Sequence, residues 1–104
     1  MLEFSREARR IARHSTRRDL NHRPEIRFAL ERLVEIVGEA AYRLGKTEQA
    51  RYPEIPWQDI VGMRNRLAHH YYSVDLDRVW DTVVSDFPKL IGQLTAILRS
   101  RPAR

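Results

Sequence analysis

The chain has 104 residues, enough for one hydrophobic core and too few for two, and it has no cysteine, which excludes disulfides and thiolate metal sites. Lysine plus arginine number 19 against 14 aspartate plus glutamate, a formal charge of +5, and Lys46 and Lys89 are the only lysines. Such a surface suits polyanions, because guanidinium meets phosphate with a planar fork. Codon usage in a GC-rich genome explains an arginine bias equally well, so the charge permits nucleic-acid binding without pointing to it. There is no apolar signal core at the N-terminus and no run as long as a membrane span, which predicts a soluble, cytoplasmic protein.

Residues 1–13 read as a short first helix, with Phe4, Ala8, Ile11 and Ala12 on one side. Ser15 to Asp19 read as a turn. Asn21 is placed to cap the next helix, with Pro24 in its first turn. Ile26, Leu30, Leu33, Val37, Ala40, Ala41 and Leu44 then recur at helical spacing up to Gly45, a natural stop. That predicts one long helix over 22–44. Phe28, Gly38 and Tyr42 fall on its outer side among Glu31, Glu35 and Glu39, as a second contact surface or as scattered surface aromatics.

Residues 47–52 suggest a short helical turn, and Pro53 and Pro56 frame a tight connection to a third helix opening at Trp57. Asp75 is a good N-cap for a last helix. The stripe from Leu76 through Trp80, Val83, Phe87, Leu90 and Leu94 to Leu98 keeps phase across Pro88. It predicts one helix over 76–98, kinked a turn before the proline, where the bond to Val84 is lost; a break into two helices is the alternative. Residues 99–104 are a frayed basic tail. No period-two pattern occurs. The expected fold is all-α, an up-and-down bundle of four helices, or five, in a single domain over 1–98.

The segment Arg64-Asn65-Arg66-Leu67-Ala68-His69-His70-Tyr71-Tyr72 concentrates the chemistry. Trp57, Ile60, Val61, Leu67 and Ala68 define the apolar face of the third helix, and at about 100° per residue Arg64 and Tyr71 fall near its centre. A core-facing arginine is costly unless it is paired or reaches a wet cleft. Asn65 and His69 share an adjacent face, while Arg64 and His69 lie about 140° apart, too far for direct contact on a regular helix. They can converge at a helix end, or on a ligand in a cleft closed by a second subunit.

Histidine titrates nearest neutrality, arginine stabilises charge on a phosphoryl group, and RNA carries its own 2′-hydroxyl nucleophile. Adjacent His69 and His70 lack the one-turn spacing of a helical zinc pair, so no metal or other cofactor is expected. A plain structural account competes: an ion pair of Arg64 with Glu35 or Glu39, a histidine near a helix end, and two tyrosines closing the core.

The pattern Arg64-Asn65-x-x-x-His69-x-Tyr71 resembles the signature of HEPN-domain ribonuclease toxins of the HepT-like branch. Further blocks resemble it in order: Glu35 to Ala41, Tyr52 to Trp57, Gly62 to Asn65, Val74 to Leu76, and Val79-Trp80 with Asp86 to Pro88. Two departures are His70, where relatives often carry glycine, and a short first helix. The resemblance implies a HEPN-like bundle and a type VII-like toxin–antitoxin pair. Arg64 and His69 would be the catalytic pair at a homodimer cleft that cuts RNA, with Asn65 in support. Tyr71 would lie in the RNA-binding site and accept AMP units from a cognate minimal nucleotidyltransferase antitoxin, an anionic adduct that blocks RNA by charge and volume.

Overall fold

A computed structural model describes residues 1–69 and 74–100, with the His69 side chain outside that description. The described residues form helices joined by short turns and include no strand. The elements are α1 (Leu2–Arg13), α2 (Asp19–His22), α3 (Pro24–Ala50), α4 (Trp57–His69), α5 (Leu76–Asp81), a π-helical turn (Thr82–Asp86) and α6 (Phe87–Ser100). The expected all-α bundle is what forms. α3 is its spine, packing most extensively on α4 and next on α1, while α1 also lies against α6.

Leu20, Leu30, Val34, Val37, Val79, Val83 and Phe87 form the fully buried centre. In α1 the buried face is Ser5, Ala8 and Ala12, and Phe4 is 37 % exposed. The expected stripe was therefore rotated: small side chains, not the phenylalanine, face the neighbours and let α1 approach closely. The Ser5 hydroxyl donates back to the Met1 carbonyl at 2.8 Å, which satisfies it in the core.

Asn21 does not cap the long helix. It lies within the extra turn α2, where its Oδ1 accepts from Arg17, and Arg23 in extended conformation precedes Pro24 instead. The rod of α3 then runs to Gly45, whose φ of 84° and ψ of 159° break it as expected, and a further helical turn continues to Ala50. That backbone conformation is open essentially to glycine alone. Gln49 donates to the Ala41 carbonyl at 2.8 Å across the break, repairing one bond lost there.

Three positions in α3 and one in α4 depart from the sequence pattern. Val34 is buried while Leu44 is 41 % exposed, and Met63 joins the core of α4. Gly38 is buried, not on an outer face, because α4 crosses α3 there. Phe28 and Tyr42 are each 58 % exposed, as the helical phase implied.

Ile55 and Trp57 anchor the connection into α4, the indole N–H donating to the Tyr52 carbonyl at 3.0 Å. Asp75 caps α5 through Oδ1 to the Arg78 N–H. α5, the π-turn and α6 form one continuous rod. The kink expected before Pro88 is realised as a π-turn, in which the Phe87 N–H bonds to the Thr82 carbonyl five residues back. A proline in α register would lose its own bond and collide with the carbonyl of Val84; widening the turn relieves that collision. Helix continues to Ser100, two residues beyond the expected end at Leu98, and residues 101–104 of the expected basic tail lie outside the described residues.

A Cβ built on Gly38 stands 2.2 Å from the Arg64 Cβ and 2.9 Å from the Ile60 carbonyl oxygen, whereas one built on Gly62 meets nothing within 4 Å. Gly38→Ala is therefore expected to cost about 1–3 kcal/mol by overpacking, and Gly62→Ala to add about 0.5–1 kcal/mol of helix propensity. Thermal melts check both, at roughly 4–8 °C per kcal/mol for a domain of this size; a neutral Gly38→Ala would contradict the crossing geometry.

Candidate active site

The crossing at Gly38 decides where Arg64 goes. Because Gly38 has no side chain, the arginine stem lies flat on the backbone of α3 and its guanidinium reaches the next residue, Glu39. Arg64 Nε donates to Glu39 Oε2 at 2.7 Å, and Nη2 lies 2.7 Å from the same oxygen. Nη1 donates to Asn65 Oδ1 at 2.7 Å. The guanidinium carbon sits 5.0 Å from the centre of the Tyr42 ring, one helical turn beyond Gly38.

Of the two ion-pair partners the sequence offered, Glu39 is used and Glu35 pairs with Arg32 instead. Pairing has not sealed the arginine away: its side chain keeps 24 % of its exposure, and Glu39 keeps 35 %. A guanidinium has five N–H donors, and these contacts engage one on each of its three nitrogens. The result is an oriented cation at the surface edge of a helix crossing, able to meet an anion.

The split of Arg64 and Asn65 onto different helix faces needs correction. Their Cα directions differ, but the arginine side chain folds back to Asn65, and the two act as one unit. His69 is the last residue of α4, one turn beyond Asn65 in the backbone. His70, Tyr71 and Tyr72 lie outside the described residues, so the expected role of Tyr71 stays an expectation. Among the described residues no cluster of histidine and carboxylate side chains has the makings of a metal site, and no helix is long and apolar enough to cross a membrane.

Two contributors were not assigned to the site from sequence: Gly38 and Tyr42 read as outer-side residues, either a second contact surface or scattered surface positions. The signal was their one-turn spacing beside Glu39, which puts a gap, an acid and a ring along one edge of α3.

With that geometry in view, comparison with known proteins is informative. The family description "Ribonuclease HepT-like" matches residues 1–97, which takes in every helix from α1 to nearly the end of α6. The chain is a member of the HepT-like ribonuclease family. Among similar proteins, one from Caldanaerobacter subterraneus subsp. tengcongensis named "Putative RNase" is 36% identical over 76 residues, covering 73% of this chain and 68% of that protein. One from Thermococcus cleftensis named "Probable ribonuclease HepT" is 41% identical over 66 residues, covering 64% and 60%. A "Putative RNase" of Methanocaldococcus jannaschii is 34% identical over 74 residues, covering 71% and 61%. The chain thus spans about three-fifths to two-thirds of the length of these relatives. No solved structure matches.

In this HepT-like chain the Arg64–Glu39 pair has a pH signature. The Arg64 hydrogen bond, against an opposing desolvation and aided by Arg43 at 3.1 Å, holds the Glu39 carboxyl below the ordinary glutamate range. A carboxyl lowered on folding gives stability that is fully present above its unfolded pKa and is lost as pH falls through the folded value. Wild type should melt above Glu39→Gln at neutral pH, by a margin limited by solvent screening, and the gap should close in acid below the ordinary glutamate range. Melting curves of both proteins across that range check this; a gap that does not change with pH would show that the pair is not the source.

Proposed function

We propose that this chain is a metal-independent endoribonuclease and the toxin of a two-gene, type VII-like toxin–antitoxin pair. Family membership supports RNA as substrate. The observation that carries the reading is Arg64 itself. A half-buried guanidinium is oriented by Glu39, Asn65 and Tyr42, yet stays partly exposed, in the helix that ends at His69.

The chemistry follows from the residue types. Arg64 stabilises charge on the phosphoryl oxygens, and the His69 imidazole serves as proton acceptor or donor. The 2′-oxygen of RNA attacks the adjacent phosphorus as its proton goes to an imidazole. The bond to the 5′-oxygen breaks, and that oxygen takes a proton from a second imidazole. The products are a 2′,3′-cyclic phosphate and a 5′-hydroxyl, with no water or metal consumed. One chain offers a single His69 in the helix that carries Arg64, so two copies around a shared cleft complete the set. Tyr71, two residues after His69 in the sequence, is the residue a cognate minimal nucleotidyltransferase modifies with AMP, adding negative charge that repels RNA phosphate.

A second reading is favoured by the same ion pair. An arginine already paired with Glu39 also suits a catalytically inert HEPN module that holds a nucleotidyltransferase or nucleic acid.

Purified protein is expected to cut RNA, leaving cyclic phosphate ends by mass spectrometry, and His69→Ala and Arg64→Ala should each lose about 100-fold or more. Protein that cuts no RNA and behaves like His69→Ala in every assay would leave the inert module standing. Co-expression with a minimal nucleotidyltransferase should add whole AMP masses that vanish in Tyr71→Phe; persistence in that variant would move the site, with Tyr72 the first suspect.

A further inference from the structure

A groove of about 630 Å³ runs beside the Arg64 cluster, between the end of α3 and the first two turns of α4. Its walls include Tyr42, Arg43, Lys46, Gln58, Gly62 and Asn65. Two cations and no carboxylate line it. The pocket between α4 and the α5–α6 rod differs: Glu54, Asp59 and Asp86 there outnumber Arg78 and Lys89. A shallow groove on α3 balances Arg32 and Arg43 against Glu35 and Glu39. A hollow under the 53–59 connection balances Lys46 against Asp59.

Three features make the cationic groove a site for a polyanion with aromatic bases. Arg43 and Lys46 are exposed on one wall; Arg43 donates to Glu39 at 3.1 Å and keeps most of its side chain in solvent, and no ion pair to Lys46 occurs among the described residues. The Tyr42 ring is 58 % exposed although Arg64 lies over it at 5.0 Å, so one part of the ring is backed by a cation and the rest is open. Gly62 leaves the α4 wall bare, since a Cβ there meets nothing within 4 Å. Asn65 belongs both to this groove and to the Arg64 cluster, so a strand bound at Arg64 continues directly into it. From Asn65 to Gln58 the wall extends about 10 Å along α4, enough for a flanking subsite.

We propose that this groove is the subsite for unpaired RNA flanking the scissile phosphate, with a base stacked on Tyr42 and phosphates on Arg43 and Lys46. The proposal rests on the ribonuclease reading above. Base faces are available for stacking only in unpaired RNA, so the exposed ring selects single strands.

The test is fluorescence anisotropy with a labelled 2′-O-methyl oligouridylate, which lacks the attacking hydroxyl and reports binding without cleavage. Lys46→Glu should weaken binding about tenfold and lower the salt slope by about one. Lys89→Glu, the same charge change in the acidic pocket, should stay within about twofold of wild type. Gly62→Glu should weaken binding about tenfold and Gly62→Lys should not, since each adds a long side chain to the open wall but only one repels phosphate. Tyr42→Ala should lose about tenfold, with Tyr42→Phe restoring it.

Equal losses in Lys46→Glu and Lys89→Glu would reduce the effect to net charge and overturn the groove. Equal losses in both Gly62 variants, with a fall in sedimenting mass, would make the groove an interface between copies of this chain. A blunt RNA duplex binding as tightly as the oligouridylate would overturn the single-strand selection. If wild type binds and cuts RNA while these variants are neutral, the groove fails and the ribonuclease reading survives. If wild type neither binds nor cuts RNA, both fail.

Discussion

The structure turns on the place where α4 crosses α3. Gly38 has no Cβ, and the Arg64 stem occupies the space a side chain would need. This contact sets the distance between the two most extensively packed helices. It also sets the direction in which the guanidinium leaves α4. One residue on, Glu39 receives it in a pair of 2.7 Å contacts, and one turn on, Tyr42 lies beneath it. A core-facing arginine, costly by itself, is thereby converted into a fixed cation at the edge of the core. Stability and chemistry share the same few atoms.

The second half of the bundle solves a different problem. Pro88 interrupts a rod that buries Val79, Val83, Phe87 and Leu90 on one side. Ending the helix would forfeit that stripe. The π-turn at Thr82–Asp86 absorbs the missing donor and keeps the apolar phase on both sides. Thr82 helps by donating its hydroxyl to the Arg78 carbonyl at 2.7 Å, so the widened turn does not leave a buried hydroxyl unpaired. α1 contributes a face of small residues, Ser5, Ala8 and Ala12, which closes the bundle against α3 and α6 without bulk.

Much of this was legible in the residues. The helix that breaks at Gly45, the α4 start at Trp57, the Asp75 cap and the interruption before Pro88 follow from local chemistry: a glycine-only backbone conformation, a proline without a donor, a carboxylate that takes an orphan N–H. Other features were misjudged for one reason. Hydrophobicity and an ideal helical repeat put Phe4 and Leu44 inside and Gly38 outside, and leave Met63 out of the buried face. Burial at those positions depends on where a neighbouring helix crosses, and small residues are buried where helices come closest. Asn21 was a sound cap by type, but the chain used it inside an additional turn.

For the candidate site, the sequence by itself determined the reactive inventory. It held Arg64, Asn65, His69 and Tyr71 at fixed spacing, in ordered blocks that resemble one family, because residue types and their separations along a helix are properties of the chain alone. Only the tertiary structure decided that Arg64 pairs with Glu39 and not Glu35, that its side chain joins Asn65 across the helical phase, and that Tyr42 and Gly62 border a cationic groove. Those outcomes depend on a long, flexible side chain choosing among partners on a second helix. That choice is set by the crossing point, here by the one position in α3 where a missing side chain lets α4 come close.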